Sequence, residues 1–222
     1  MTEDELYSAK VPEPMQEPFI DAQKKMEVLF SKIKRNPEEG RITIDDDRYV
    51  MIRSNSLATG FIKEAEKIVG EETAEMLLYN FAYSIGKMEA NSFIEKFKLE
   101  DPIEKLSAGP IYFSFVGLAF VDIFPESKPA PDNSYFLIYE HPNTFESGVY
   151  KAKNETADHG ICHFSAGYSA GWCSEAFGLE LEAREIKCEA KGDDSCRFIM
   201  TTYDQMVNHL EKVDDYKSLS HT

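Results

Sequence analysis

The chain has 222 residues, a formal net charge of −16, four cysteines and one tryptophan. This length suffices for one medium-sized domain that buries its own core without disulfide bonds. The negative charge repels phosphate backbones, so direct binding of nucleic acid is not expected. No window approaches the roughly 18 apolar residues of a membrane span, and the N-terminus MTEDELYSAK lacks the apolar segment of a secretory signal. We therefore expect a cytoplasmic protein without a membrane span.

The first 40 residues divide into an arm and a helix. Residues 1–18 contain prolines at positions 12, 14 and 18, which predicts a mobile arm. Residues 19–40 contain a predicted helix from Asp21 to Arg35, because Asp21 can cap a segment whose apolar residues recur at helical spacing. The segment RITIDDDRYVMIR then predicts two short strands around an acidic turn.

The middle of the chain predicts helices followed by strands. SNSLATGFIKEAEKIVG predicts a helix that ends at Gly70, and the segment up to residue 97 predicts a longer one with an apolar stripe. The aromatic and β-branched run Pro110–Phe124 predicts a buried strand. SYFLIYEH predicts a further strand, and residues 145–154 a short helix.

The last third combines a glycine-bearing helix with a hairpin. CHFSAGYSAGWCSEAFG has small residues at three- and four-residue intervals, so one helix face is expected to pack closely against a sheet. LELEAREIKCEAKGDDSCRFIM predicts an antiparallel hairpin that turns near Gly192. The main domain is expected at residues 41–203, and a C-terminal helix and tail at 204–222. Because helices and strands occur in blocks, the expected fold class is α+β, an antiparallel sheet covered by helices.

The four cysteines do not all have the same expected role. Cys188 and Cys196 are predicted to face each other across the hairpin, where two thiols can form a disulfide, share a metal ion or simply pack. A cytoplasmic location argues against a structural disulfide. Cys162 and Cys173 are eleven residues apart on one predicted helix, a rise of about 16 Å, so only one can join the pair. Cys162 lies at the helix start, whereas Cys173 is expected to be a buried, inert thiol.

The candidate metal ligands are therefore Cys162, Glu185, Cys188 and Cys196. Three thiolates and a carboxylate suit a tetrahedral zinc ion, and four protein ligands leave no open position, so the site would be structural. On a regular strand Glu185 and Cys188 point to opposite faces, so the site requires a bulge near Ile186 or Lys187. From spacing alone, zinc and a packed cysteine pair both remain open.

No catalytic motif is found. The five histidines accompany no nucleophile motif, and GxSxG, HExxH and a glycine-rich phosphate loop are absent from the sequence. The 15 phenylalanines and 11 tyrosines are explained by core packing or by a pocket for a flat apolar ligand. An enzyme is therefore the less favoured hypothesis.

One spacing pattern in the second half is distinctive. It consists of Cys162, Tyr168, Gly171, Trp172, Gly178, Glu185, Cys188, Gly192 and Cys196. With the upstream segments GRITIDDDRYVMI and GKMEANSF, the pattern resembles the 4-vinyl reductase domain, which also forms the N-terminal sensor of XylR-type activators of aromatic catabolism. The resemblance spans about Arg41 to Met200 and implies zinc at the four candidate ligands. It also implies a fold similar to Golgi transport-complex subunits, with a buried pocket for a small hydrophobic molecule.

The ligand implied by the resemblance is not simply phenol. In phenol-type sensors of that family a histidine and a tryptophan hold the aromatic hydroxyl. Here His141 takes the place of that tryptophan, and the upstream histidine has no counterpart in YFSFVGLAF. The expected pocket suits a larger or less polar ligand, and its expected border is Phe113, Tyr139, His141, Tyr168 and Trp172.

The leading hypothesis is a zinc-containing sensor domain that binds a hydrophobic or aromatic molecule and regulates a partner protein. The sequence itself contains no AAA+ motor, helix-turn-helix or kinase motif. The resemblance implies a homodimer, with the helix Asp21–Arg35 as the candidate contact. Two alternatives are a protein of tetrapyrrole vinyl reduction, either enzyme or pigment-binding accessory, and a lipid-binding scaffold subunit. Retention of a chlorophyll-type pigment would favour the first, and stable co-purification with larger partners the second.

Overall fold

Eight strands form two sheets in the computed structural model, which describes residues 5–220. The strands are β1 Ala9–Lys10, β2 Ile33–Asn36, β3 Arg41–Ile44, β4 Asp47–Tyr49, β5 Val121–Ile123, β6 Phe136–His141, β7 Leu181–Lys187 and β8 Cys196–Thr202. The larger sheet has the order β1-β5-β6-β8-β7 and is antiparallel except for the β1–β5 pair. The smaller sheet, β2-β3-β4, is antiparallel throughout.

Helices cover both faces of the larger sheet. They are α1 Gln16–Phe30, α2 Ile62–Val69, α3 Glu71–Phe97, α4 Pro102–Phe115, α5 Phe145–Lys153, α6 His163–Phe177, α7 Tyr203–Leu210 and α8 Val213–Ser218. Asp101 caps α4, because its carboxylate accepts hydrogen bonds from the first free backbone N–H groups of that helix. Gly70, with φ +82°, separates α2 from α3. Within residues 5–220, no helix is long and apolar enough to cross a membrane.

Alternation along β6 and β8 divides the core into two layers. Leu137, Tyr139 and Met200 face the main core beneath α4 and α6. Their neighbours Ile138 and Ile199 lie in a smaller cluster on the opposite face, under α7 and α8. The fold is therefore α+β with helices on a mainly antiparallel sheet, which confirms the expected fold class.

Helices α3 and α6 pack backbone against backbone through glycine. A Cβ atom on Gly171 would lie 2.0 Å from the carbonyl oxygen of Tyr83, and one on Gly167 would lie 2.2 Å from that of Tyr79. No real side chain tolerates such distances, so only glycine permits this approach. The small-residue face of α6 therefore approaches helix α3, and the expectation that it approaches the sheet is wrong.

The N-terminal segment differs from the predicted mobile arm. Ala9 pairs with Val121 in the β1–β5 pair and is buried, as is Ser8. The Gln23 side-chain oxygen accepts hydrogen bonds from the backbone N–H groups of Tyr7 and Ser8, at 3.0 and 3.1 Å. Residues 5–18 thus pack onto the domain, while Met1–Asp4 of the predicted arm lie outside the described residues.

Two further predictions need correction. The helix expected from Asp21 to Arg35 runs instead from Gln16 to Phe30, and Ile33–Asn36 pairs with β3. The run Pro110–Phe124, expected to be a strand, contains the end of α4 and only the short strand Val121–Ile123. Helix α4 is apolar on nearly all sides, so its composition indicates burial without showing the helical period. The strands around the acidic turn, the helix end at Gly70 and the helix after Thr144 are confirmed.

Candidate functional site

Four potential metal ligands converge at the N-terminal end of α6. Cys162 immediately precedes α6, Glu185 lies on β7, and Cys188 and Cys196 stand at the two sides of the hairpin turn. One ligand atom of each residue lies within 4.8 Å of the ligand atoms of the other three. We call this group the cysteine cluster. The structure thus brings together the four residues that the sequence proposed as ligands.

A β-bulge makes this convergence possible. The register of β7 against β8 shifts between Glu185 and Lys187. The intervening Ile186 turns to the opposite face of the sheet, where it joins the smaller apolar cluster. The extra residue returns Cys188 to the same face as Glu185. The irregularity that the spacing required is therefore present at the expected position.

The cysteines in the cluster are not cross-linked. The Sγ atoms of Cys162 and Cys196 are 3.5 Å apart, well beyond the roughly 2.05 Å of a disulfide bond. All four cysteines are free thiols. Thiolates bound to one zinc ion at about 2.3 Å stand about 3.8 Å apart when the geometry is tetrahedral. The sulfur spacing is therefore close to that of a shared metal ion.

Burial sets the electrostatics of the cluster. It raises the pKa of Cys162 well above that of an ordinary thiol, and it raises the pKa of Glu185 to about 9, with the charge of Cys188 adding to the effect. Hydrogen bonds from the thiols of Cys162 and Cys196 lower the pKa of Cys188 to about 2. The cluster thus concentrates negative charge in a buried place, which a cation would stabilise.

One oxygen of Glu185 supports the fit to a metal ion. Its Oε2 atom accepts a hydrogen bond from the backbone N–H of Cys162 at 3.0 Å. Its Oε1 atom is buried and has no hydrogen-bond partner among residues 5–220. Because an unpaired buried acceptor is costly, a cation between this oxygen and the three sulfur atoms would remove that cost. The donor set therefore fits zinc.

Neighbouring groups fix the sulfur atoms. The hydroxyl of Thr144 lies 3.3 Å from Cys162 Sγ. The backbone N–H of Glu189 points to Cys196 Sγ at 3.4 Å. Metal ligands are commonly oriented by such outer contacts, so the surroundings of the cluster match those of a metal site.

The carboxylate of Glu185 lies against a glycine. A Cβ atom on Gly160 would come within 2.5 Å of Glu185 Oε2, so a larger residue there would displace the carboxylate. On the other side of the cluster, Asp193 accepts a hydrogen bond from the backbone N–H of Cys188 at 2.7 Å. Sequence reasoning did not assign Gly160 or Asp193 a role, because both act through a fold contact.

Glu146 is a further residue that sequence reasoning missed. Its buried carboxylate accepts hydrogen bonds from the backbone N–H groups of Phe164 and Ser165, at 2.8 and 3.1 Å. Burial raises its pKa to about 7, although these hydrogen bonds oppose the shift. Glu146 holds the first turn of α6 and so fixes the position of Cys162. Its place on the predicted helix 145–154 gave no signal of this contact.

A narrow apolar cavity lies between α4, α6 and the larger sheet. Its volume is about 30 Å³, which is room for about two water molecules. Four of the five residues expected to border a pocket line it, namely Phe113, Tyr139, Tyr168 and Trp172. Cys173, expected to be an inert thiol, is also part of its wall.

His141, the fifth expected residue, lies behind the cavity wall. Its ring centroid is 5.3 Å from that of Phe113 and 5.1 Å from that of Tyr139. The indole N–H of Trp172 donates to the backbone carbonyl of Lys105 at 2.9 Å, so this donor is already engaged. The polar groups available to a ligand are therefore those of the tyrosines and His141.

Several polar atoms at this wall make no hydrogen bond of normal geometry within residues 5–220. They are the hydroxyl groups of Tyr139 and Tyr168 and both ring nitrogens of His141. Burial lowers the pKa of His141 to about 3, so its ring is neutral at neutral pH and offers one donor and one acceptor. An apolar cavity with a few convergent polar groups is the usual form of a small-molecule site.

His141 also joins the cavity to the cysteine cluster. It pairs directly with Cys196 across β6 and β8. Side chains of directly opposed residues lie on the same face of an antiparallel pair. The cysteine cluster is therefore next to the aromatic wall of the cavity.

The fold and the cysteine cluster define a domain of the 4-vinyl reductase type. The family model for this domain matches residues 147–202, a range that includes all four members of the cluster. The model described as "Activator of aromatic catabolism" matches residues 29–125. The chain is thus a XylR-type N-terminal region joined to a 4-vinyl reductase domain, which confirms the family resemblance carried by the cysteine spacing.

Individual relatives agree with this assignment. The phenol regulator MopR of Acinetobacter guillouiae is 23% identical over 182 residues, which are 82% of this chain and 32% of MopR, so the chain spans about a third of the length of that relative. The crystal structure of the phenol-responsive sensory domain of the transcription activator PoxR with phenol has a TM-score of 0.72 at 20% identity, over 88% of this chain and 96% of that one. A trafficking protein particle complex subunit 3 from Naegleria fowleri gives a TM-score of 0.46 at 14% identity, over 67% and 93% of the two chains. The PoxR likeness establishes the fold, whereas the last superposition is too loose to support an argument.

Proposed function

We propose that this chain is a sensor domain that binds a small aromatic molecule between α4, α6 and the larger sheet. The observation that carries the proposal is the apolar cavity whose wall holds the unpaired hydroxyl groups of Tyr139 and Tyr168, with His141 behind them. A phenol-type ligand has one flat apolar ring and one polar group, which matches this chemistry. Support also comes from the relatives MopR and PoxR, whose names describe a regulator and a sensory domain that respond to phenol.

A zinc ion in the cysteine cluster completes the proposal. Cys162, Glu185, Cys188 and Cys196 would hold it, and four protein ligands make its role structural. When bound, the ion would tie the start of α6 to the hairpin. Because His141 is paired with Cys196, the ion would also stabilise the wall of the cavity.

Binding requires the cavity walls to separate. A cavity of about 30 Å³ is far smaller than the roughly 300–1,000 Å³ of typical ligand pockets. Trp172 of α6 packs directly over Gly109 of α4, so entry of a ring would move these two helices apart. This movement would distinguish the bound from the free state, and a regulatory partner or output domain would respond to it. The missing counterpart of the family's phenol histidine favours a larger or less polar ligand.

The proposed homodimer needs a different contact from the one expected on the N-terminal helix. In α1, Phe19 and Met26 are fully buried inside the domain, so this helix offers little free apolar surface. Large apolar side chains are exposed instead on the segment before α2 and on α2 and α3, with Met51 at 75%, Ile68 at 82% and Met88 at 73%. We therefore place the dimer contact there. Native mass spectrometry of Ile68→Asp should show monomer where the unmodified chain shows dimer.

The ligand proposal is tested with the only tryptophan of the chain, Trp172, which lines the cavity. Phenol and 1-naphthol are titrated into the zinc-loaded chain while the tryptophan fluorescence is recorded. A saturable change is expected, with tighter binding of the larger ring. Tyr203→Phe, at a tyrosine that is 75% exposed, should bind as the unmodified chain does. Absence of saturable binding by any aromatic compound would refute the sensor proposal.

A second variant separates ligand recognition from core packing. Tyr168→Phe removes a buried hydroxyl that has no partner in residues 5–220. The ligand-free variant should therefore be as stable as the parent or more stable. Its affinity for 1-naphthol should fall about 3- to 10-fold, since a hydrogen bond contributes roughly 0.5–1.5 kcal/mol, while naphthalene should bind unchanged. Equal loss for both compounds would assign Tyr168 a packing role only.

A further inference from the structure

A second group of potential metal ligands lies beside the cysteine cluster. Glu75 is on the first turns of α3, His159 is in the loop before α6, and His163 is the first residue of α6. The ligand atoms of these three residues lie within 4.8 Å of one another. We call them the histidine cluster. It shares no residue with the cysteine cluster, although His163 directly follows Cys162.

Both imidazole rings converge on one carboxylate oxygen. Oε1 of Glu75 is 2.5 Å from Nε2 of His159 and 3.3 Å from Nε2 of His163. The second contact lacks hydrogen-bond geometry, and Nε2 of His163 is buried without a hydrogen-bond partner in the part of the chain described. The two rings therefore present nitrogen atoms to one place, and only one of them is satisfied by the carboxylate.

The outer nitrogen of His159 is also held. Its Nδ1 atom lies 2.6 Å from a carboxylate oxygen of Asp158. Metal-bound histidines almost always hydrogen-bond their second ring nitrogen to a carboxylate or carbonyl group, which fixes the ring and the tautomer. Asp158 therefore directs Nε2 of His159 towards Glu75.

The surroundings of the histidine cluster favour a cation. The cluster opens into a surface cleft of about 480 Å³, whose walls also carry Glu66 and Glu71. A simple histidine–carboxylate ion pair would explain the contact between Glu75 and His159. It leaves the buried Nε2 atom of His163 unexplained, whereas an ion shared by all three side chains satisfies that nitrogen as well.

We propose that Glu75, His159 and His163 bind a divalent first-row transition-metal ion. Two imidazoles and one carboxylate suit zinc, cobalt or nickel better than calcium or magnesium. Three protein ligands leave coordination positions open to the cleft, which water or a small anion from solution can occupy. The ion ties the start of α3 to the start of α6, and because the cleft is open it exchanges with ions in solution.

The test uses the full chain after the cysteine cluster has received one equivalent of zinc. Cobalt(II) is then titrated, and bound metal is counted by native mass spectrometry while the visible spectrum is recorded. A second ion is expected, with weak cobalt bands and no thiolate-to-cobalt charge transfer. His159→Ala and Glu75→Gln should each remove the second ion and keep the first. Asp158→Asn should weaken cobalt binding by about 10- to 100-fold, as outer-contact substitutions do.

The controls make every outcome decisive. His209→Ala alters a histidine outside both clusters and should still bind two ions. His159 and Glu75 are 42% and 22% exposed, so their variants are expected to fold even if substitution of the more buried His163 is not tolerated. A chain that binds only zinc, or a second ion retained by both variants, would overturn the proposal. Thiolate-to-cobalt absorption would overturn it too, because the cobalt would then occupy the cysteine cluster. The count of the zinc ion reports separately on the proposed function.

Discussion

The cysteine cluster and the histidine cluster begin at consecutive residues, yet they differ in burial and in donor number. Cys162 points into the core, where Cys188 and Cys196 are fully buried. His163 points towards α3, and its partners Glu75 and His159 remain partly exposed. Successive residues at a helix start project about 100° apart, so one turn of backbone can serve two unlike sites. The difference shows that burial and donor number, and not position in the sequence, separate a site built into the fold from an exchangeable one.

The cysteine cluster also belongs to the hairpin, whereas the histidine cluster belongs to a helix pair. Loss of a ligand in the first should therefore loosen the sheet edge and the start of α6 together. Loss of a ligand in the second should leave the core intact. The predictions below test this distinction, from the largest expected effect to the smallest.

Cys188→Ala should lower the free energy of unfolding of the zinc-loaded chain by roughly 5 kcal/mol or more, because structural zinc contributes on the order of 10 kcal/mol to the folding of small domains. The loss should appear in urea unfolding monitored by circular dichroism, together with loss of zinc from the folded protein.

Cys173→Ala is the matched control for this prediction. Cys173 is buried in the cavity wall and is not part of the cysteine cluster. The substitution should cost roughly 1 kcal/mol, the value of one buried methylene-sized group, and the variant should retain its zinc. Similar losses of stability in both variants would mean that the hairpin thiols contribute by packing alone.

Gly171→Ala tests the contact between α3 and α6 on which the histidine cluster depends. The new Cβ atom would lie 2.0 Å from the Tyr83 carbonyl oxygen, so the helices must separate, at an expected cost of about 1–3 kcal/mol. Zinc in the cysteine cluster should be retained, because α6 and the hairpin still meet. Cobalt binding at the histidine cluster should weaken, because Glu75 moves with α3.

Gly148→Ala provides the control on helix α5. A Cβ atom there meets nothing within 4 Å, so alanine should stabilise the helix by about 0.5–1 kcal/mol. Thermal unfolding of the two variants, each with one zinc ion bound, measures the contrast. Equal thermal stability would show that the close approach of α3 and α6 is not a constraint in solution.

Gly160→Ala should weaken the cysteine cluster without unfolding it. The added methyl group displaces the end of the Glu185 side chain, which is flexible enough to move. Zinc affinity should fall by about 10- to 100-fold, as for other changes beside metal ligands, with little change in the stability of the metal-free chain. Competition with a chelator measures the affinity, and an unchanged value would exclude Glu185 as a ligand.

The cysteine cluster could be anticipated from the sequence because its signals are local. The turn near Gly192, the strand alternation and the rise of the helix limited the choice of cysteines, and the bulge at Ile186 followed from the face that Glu185 must occupy. The helix α4 was missed although Asp101 and Pro102 form a typical helix start. Its apolar residues surround the helix, so no period distinguished it from a strand.

The histidine cluster and the N-terminal strand depend on contacts between distant parts of the chain. Glu75 and His159 are 84 residues apart, and β1 pairs with β5 only after most of the domain has formed between them. Nothing in the local sequence distinguishes these residues from exposed charged residues or from a flexible arm. Tertiary packing alone brings them together, which is why only the structure reveals them.

The smallest expected effect belongs to Glu75→Gln in the absence of a second metal ion. Glu75 is partly exposed, and exposed ion pairs contribute only about 0–1 kcal/mol, so the zinc-loaded variant should unfold within about 0.5 kcal/mol of the parent. Addition of cobalt(II) at 100 times its dissociation constant should stabilise the parent by about 2.7 kcal/mol and leave the variant unchanged. A large loss of stability before cobalt is added would show that Glu75 belongs to the folded core, and the distinction between a built-in site and an exchangeable site would fail.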